Sequence, residues 1–258
     1  MMKTADLRLW LTLAAGLLLA AGCASVPEVK DPAPPEEVAA FAAAMERAVN
    51  PGGVSFDRLR LRFEGAIAEI DMPVRLEICW RRTPPGLRET VEMQGSPSET
   101  MLCSGDRGWE IVEEISCREL EPEELQMLLA EWRQHLPEAR LTEIFSELAM
   151  EREPCEIEGV PCRRLVGRFA DAPQLAPMEL FVGAEDHLIR RTHTIVSDGL
   201  NRIPVVTDFF DYRNVGGLML PNRQIIHQLG MQIELRLVQC EYDPAFAENL
   251  FTADEDAF

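Results

Sequence analysis

The run Arg58-Leu59-Arg60-Leu61-Arg62-Phe63-Glu64 alternates charged and apolar residues at every step, and Ile67 continues the apolar side. A period of two belongs to a β-strand with one buried and one wet face. The next segment repeats it. Val74, Leu76, Ile78 and Trp80 alternate with Arg75, Glu77, Cys79 and Arg81, and a third strand runs through Val91 and Met93. Strands of this kind make an antiparallel sheet with a single buried face. After Met101 and Leu102 the chain turns through Gly105-Asp106-Arg107-Gly108 and returns with Trp109, Ile111 and Val112, which reads as a hairpin.

Outside these strands the period changes. Glu36 and Glu37 follow Pro35 at a favourable helix start, and Val38, Phe41, Ala42, Met45 and Val49 recur at helical spacing until Asn50-Pro51-Gly52-Gly53 ends the run. Helical spacing returns between Glu119 and Leu148, where Leu125, Leu128, Leu129 and Trp132 form one stripe after Glu121-Pro122-Glu123-Glu124. A second short helix is expected to hold Leu141, Ile144, Phe145 and Leu148. Strands are expected at 162–169, 178–182, 188–196, 205–212, 218–228 and 231–242, broken at Gly183-Ala184-Glu185-Asp186, Asp198-Gly199, Gly216-Gly217 and Gly230. The chain is therefore mainly β (α+β), with about ten strands in one strongly curved antiparallel sheet, an N-terminal helix and a mid-chain helical plug.

The N-terminus carries an address. Lys3 and Arg8 precede an uncharged stretch from Leu9 to Ala21, shorter than the roughly 20 apolar residues that cross a bilayer. Ala20, Ala21 and Gly22 are small enough for a signal peptidase, and Cys23 follows as the residue to be lipidated, a pattern that resembles a lipobox with Ala20 where leucine is usual. Residues 1–22 are expected to be a lipoprotein signal peptide. Residues 23–35, with Pro27, Pro32, Pro34 and Pro35, are expected to be a semi-stiff stalk, and 36–258 the folded domain. Several acyl chains on Cys23 would make the membrane attachment lasting. In the lipoproteins this resembles, aspartate after the cysteine signals inner-membrane retention, so Ala24 favours the outer membrane.

Composition limits the partners. The net charge is −19, and −20 once Lys3, Arg8 and Asp6 leave with the signal, so phosphate backbones and anionic headgroups are repelled and nucleic acid is excluded as a partner. With 47% apolar residues the chain still has enough material for a large core.

Six cysteines remain after Cys23, an even number that suits an oxidising compartment. A two-residue turn at Glu158-Gly159 would set Cys155 opposite Cys162 at disulfide distance. The other four allow three pairings, of which Cys103 with Cys117 and Cys79 with Cys240 is preferred. No C-x2-C pair favours a metal. Catalysis finds no support either: G-x-S-x-G, H-E-x-x-H, a phosphate-cradling glycine loop and a dinucleotide fingerprint are all missing. His187 and His193, and the pairs Glu113-Glu114 and Glu123-Glu124, read as surface or hydrogen-bonded groups. Neither a catalytic residue nor a cofactor is expected.

Four segments carry a resemblance: Gly105-Asp106-Arg107-Gly108-Trp109-Glu110, Glu158-Gly159-Val160-Pro161-Cys162, Asp211 to Pro221 (DYRNVGGLMLP), and Pro244 to Phe251 with Asn249-Leu250-Phe251. In order and spacing the chain is similar to the outer-membrane lipoprotein-sorting family, the LolA and LolB proteins and their relatives. The resemblance implies an incomplete antiparallel barrel closed by helices that shelters acyl chains, with lipid or an acylated protein as ligand and no enzymatic activity. The alternative is a non-enzymatic envelope-sensing or protein-docking module built on the same sheet. Expected lining residues are Leu61, Phe63, Leu76, Ile78, Trp80, Val91, Met93, Trp109 and Ile111 on the sheet, and Leu125, Leu128, Leu129 and Trp132 on the plug. Trp109 and Trp132 are the preferred pocket walls because of their bulk.

Overall fold

The computed structural model describes residues 27–133, 140–197 and 202–253. The segment expected to be a signal peptide, Cys23 and the Asp198-Gly199 break lie outside the described residues. Helix α1 (Pro35–Val49) starts with proline in its first turn, carries Glu36 and Glu37 where the helix dipole favours acids, and has Arg47 in its last turn. Val38, Ala42 and Met45 are its buried residues, spaced as one helical face requires. Beyond Asn50 the chain is held by a reciprocal pair: the Val54 N–H donates to Asn50 Oδ1 at 2.8 Å and Asn50 Nδ2 donates to the Val54 carbonyl at 2.9 Å.

Six strands follow: β1 (Arg58–Ile67), β2 (Met72–Arg81), β3 (Gly86–Met93), β4 (Glu99–Ser104), β5 (Arg107–Val112) and β6 (Ser116–Glu119). Next come α2 (Pro122–Arg133) and a single helical turn, α3 (Leu141–Ile144). The second half comprises β7 (Phe145–Met150), β8 (Cys155–Ile157), β9 (Val160–Phe169), β10 (Met178–Gly183), β11 (Ile189–Ser197), β12 (Arg202–Val215), β13 (Leu218–Gln228) and β14 (Met231–Tyr242).

All fourteen strands belong to one antiparallel sheet in the order β6-β5-β4-β3-β2-β1-β14-β13-β12-β11-β10-β9-β7, with β8 paired to β9. Each half is a meander. The halves are sewn together in the middle, where β1 lies against β14 from Leu59↔Tyr242 to Ile67↔Ile233. The register slips once between Arg62 and Phe63, which leaves Val238 as an unpaired, exposed bulge residue. The sheet is curved and stays open between edge strands β6 and β7. The chain crosses that opening through α2 and α3, so the mid-chain helices do act as a plug.

Several expectations need correction. Among the described residues the strands number fourteen rather than about ten, because the short strands β6, β7 and β8 carry little periodicity of their own. The second helix ends at Ile144. From Phe145 to Met150 the backbone pairs with β9 instead, which buries Phe145 and Met150 in one cluster with Leu165 and Phe169. Part of the segment expected as a stalk, 23–35, packs on the folded domain. Asp31 to Ala33 is docked, with the Ala33 N–H donating to the Met150 carbonyl at 2.8 Å, the Asp31 N–H to Glu151 Oε1 at 2.9 Å, and Ala33 itself buried.

The expected disulfides are not formed: all six described cysteines are free thiols. Cys155 does lie directly opposite Cys162 across the hairpin, with positive φ at Glu158 and Gly159 as the two-residue turn requires. Its thiol donates to the Cys162 carbonyl at 3.6 Å instead of bonding to sulfur. The other two pairings fail on geometry. Cys79 pairs with Arg60, whereas Cys240 pairs with Leu61, the next residue on β1, so the two thiols sit two strands apart on opposite faces. Cys103 belongs to the inner core and Cys117 packs on the outer face.

Candidate functional site

The inner face of the sheet carries two separate core clusters. One lies under α1 and gathers Val38, Ala42 and Met45 with Ile144, Phe145, Leu165, Met178 and Leu180. The other lies under α2 and gathers Leu59, Leu61, Phe63, Ile78 and Leu218 with Leu120, Leu125 and Trp132. They do not merge. Between them runs a cavity of about 750 Å3, lined by residues of both. Its size falls within the roughly 300–1,000 Å3 of small-ligand sites.

The seat of α2 explains how the plug comes down over the sheet. Gly108 faces it from β5, and a Cβ there would meet Leu125 Cδ1 at 2.8 Å and Leu120 Cδ1 at 2.9 Å. Glycine at this position lets the helix approach. At its start, Arg118 on β6 holds Glu110 at 2.7 Å and Glu124 of α2 at 2.6 Å, and this pairing keeps the Glu124 carboxyl below its ordinary range.

The cavity wall has two characters. Leu61, Phe63, Leu76 and Ile78 supply an apolar side from β1 and β2, continued by Trp132, Ile144, Phe145 and Met178. The opposite side comes from β11, β12 and β13 and is mixed: Thr192, Thr194, Thr207, Gln224 and Gln228 stand among Val205, Phe209 and Ile226. Register explains the cluster, because Thr192 faces Thr207, Thr207 faces Ile226, Val205 faces Gln228 and Phe209 faces Gln224. Tyr212 closes this side by donating its hydroxyl to the Ile189 carbonyl at 2.7 Å, and burial pushes its ionisation well above the ordinary range. At the α1 end stand Glu46, Arg47 and Asn50, with Arg140 and Leu141 beside them.

The expected lining residues divide into three groups. Leu61, Phe63, Leu76, Ile78 and Trp132 line the cavity. Trp80, Val91, Met93, Leu125, Leu128 and Leu129 are on the inner side but packed within the α2 cluster, away from the open space. Trp109 and Ile111 are corrected outright: they lie on the outer face, against Leu102, Cys79 and the C-terminal segment around Phe246 and Phe251. Leu102↔Trp109 and Ile111↔Cys117 are cross-strand pairs on that outer side. Phe251 is almost fully buried there, with Arg81 stacked over its ring at 4.5 Å.

The sequence reading missed the α1 side and the whole β10–β13 wall. The signal available there was the alternation Val205, Thr207, Phe209, but Val206 and Phe210 interleave with it, so the sequence does not say which set faces inward. The two expected surface histidines are ordinary: His193 Nδ1 lies 2.6 Å from Glu179 Oε2 on the outer face, and His187 rests against the Phe41 ring.

No family model matches the sequence, and no curated protein matches it. Likeness to solved structures is clear in shape. A candidate outer membrane lipoprotein-sorting protein domain from Vibrio parahaemolyticus superposes with a TM-score of 0.53 at 9% identity, covering 84% of this chain and 97% of that one. This chain has the lipoprotein-sorting fold. A DUF1329 family protein from Desulfovibrio piger gives a TM-score of 0.54 at 10% identity over 83% of this chain and 96% of its own. A LolA superfamily protein from Nitrosomonas europaea gives 0.48 at 13% identity over 84% and 98%. The first two superpositions account for the sheet and its helical cover, as the resemblance implied.

Proposed function

We propose that this chain is a non-enzymatic envelope lipoprotein that shelters acyl chains, of a lipid or of an acylated protein, in the cavity between its two core clusters. It is held at the outer membrane by lipid on Cys23, facing the periplasm. The observation that carries this reading is the vacant volume itself. A water takes about 30 Å3 of liquid and a methylene is of similar size, so the cavity holds on the order of 25 methylenes, one or two acyl chains. A chain of about sixteen carbons moved from water into it contributes roughly 12 kcal/mol before ordering costs. The shared fold supports the reading.

The docking-module alternative requires a filled interior and a large exposed apolar patch. Neither fits: the cavity is open, and among the described residues the exposed large apolar side chains are Ile70 in the β1–β2 turn, Ile115 in the β5–β6 turn and Val238 on β14. Native mass spectrometry tests the proposal, using the full chain with Cys23→Ser, purified without detergent. Co-purified lipid, or uptake of an added acyl probe at one per chain, is expected. A bare mass with no uptake at any probe concentration sinks it.

A further inference from the structure

Most arginines of this acidic protein are already committed. Arg60, Arg118, Arg164, Arg191 and Arg223 each hold a carboxylate within 3.2 Å. Arg47 and Arg140 hold none among the described residues, and both line the cavity while remaining exposed, which puts them at its opening. They come from distant parts of the chain, and one bond brings them together. The Leu141 N–H donates to Glu46 Oε1 at 3.0 Å, so the residues next to Arg47 and Arg140 are tied to each other. One oxygen of Glu46, a carboxylate of the same lining, accepts that bond. The other carboxylate of the lining, Glu89, stands on β3 and has contacts of its own. Behind the arginines the wall turns apolar through Met45, Leu141 and Ile144. Two cations at the mouth of a greasy pocket, in a chain whose net charge is −19, mark the place for one anionic group attached to a hydrocarbon.

We propose that the cavity takes an acyl ligand with an anionic head, a carboxylate or phosphate, and that Arg47 and Arg140 hold that head at the opening. This rests on the acyl-binding reading above and narrows its ligand class. Arginine suits the task because its fork of N–H donors matches two oxygens of one head and stays charged at any relevant pH. The site selects against zwitterionic and neutral heads, which leave the two guanidinium groups unmatched.

The test is displacement of a fluorescent acyl reporter from the full chain carrying Cys23→Ser. The competitors are palmitoyl lysophosphatidate, palmitate and palmitoyl lysophosphatidylcholine, with inorganic phosphate as a chain-free arm. The two anionic lipids are expected to compete about tenfold better than the zwitterionic one, the order of a charge-assisted contact, and added salt should narrow the gap. The ratio should fall toward one in Arg47→Gln/Arg140→Gln and keep its wild-type value in Arg213→Gln, an exposed arginine away from the cavity. Equal competition by all three lipids, or a preference that survives the double substitution, overturns this inference and leaves the acyl-binding reading standing. Displacement by inorganic phosphate alone at lipid-like concentrations overturns the role of the chain. Failure of every lipid to compete overturns both readings together.

Discussion

Thr207→Trp asks directly whether the interior is vacant. Thr207 is half-buried at the middle of the mixed wall, between Thr192 and Ile226, with its side chain toward the cavity. Tryptophan adds about seven side-chain heavy atoms, roughly a quarter of the 25 methylene-sized positions available. For a ligand that fills the cavity, seven methylenes at ~0.8 kcal/mol each set an upper limit of about 6 kcal/mol of lost binding. A ligand short enough to avoid the indole loses nothing. The measurement is therefore a chain-length series. In the wild type each added methylene should raise affinity about fourfold until the cavity is full. In the variant the plateau should arrive several carbons earlier. Urea unfolding gives the second readout. An indole entering open space should shift stability by less than about 1 kcal/mol, whereas overpacking a filled core costs about 1–3 kcal/mol. An unchanged chain-length profile in a folded variant, or a loss of about 2 kcal/mol or more, would refute the reasoning.

Three further outcomes follow from the geometry. Trp109→Ala should cost about 3–5 kcal/mol by emptying the outer cluster under Phe251, yet leave acyl uptake per folded molecule intact, since the ring is on the far side of the sheet. Gly65→Ala places a Cβ on the Glu234 carbonyl across the β1–β14 seam, so backbone must move and unfolding should begin at clearly lower urea. Glu179 is held below the ordinary carboxylate range by its hydrogen bond to His193 and then by Arg164. A depressed folded-state value contributes stability above the unfolded value of about 4.3 and loses it as pH falls through the folded one. The urea midpoint should therefore drop on acidification below about pH 5, with a shallower slope in Glu179→Gln.

The first-half strands were legible because each has one charged and one apolar side, and Arg60, Arg62 and Glu64 on β1 leave no doubt which way Leu61 and Phe63 point. The same rule misplaced Trp109. Alternation separates two faces but does not name the inner one when a distant segment, here Phe246 to Phe251, covers the outer face with hydrocarbon as well. On β12 both faces carry apolar residues, Val205 and Phe209 inward and Val206 and Phe210 outward, so periodicity carries no direction at all. Thr192 and Gln224 reinforce the confusion by turning polar groups inward. Arg47 and Arg140 were invisible for another reason. Their adjacency depends on a bond between α1 and the residue after Arg140, and no local pattern encodes contact across so many residues.

The central seam has a consequence for how the molecule is born. Hairpins within each meander join near neighbours and can form quickly, whereas Leu59 meets Tyr242 only after nearly the whole chain has been made. Since β1 and β2 furnish one side of the hollow and β10 to β13 the other, neither half owns a pocket. A nascent chain released before β14 is synthesised could zip its early hairpins and still have nowhere to put hydrocarbon; the capacity to carry a guest arrives all at once, with the last strand.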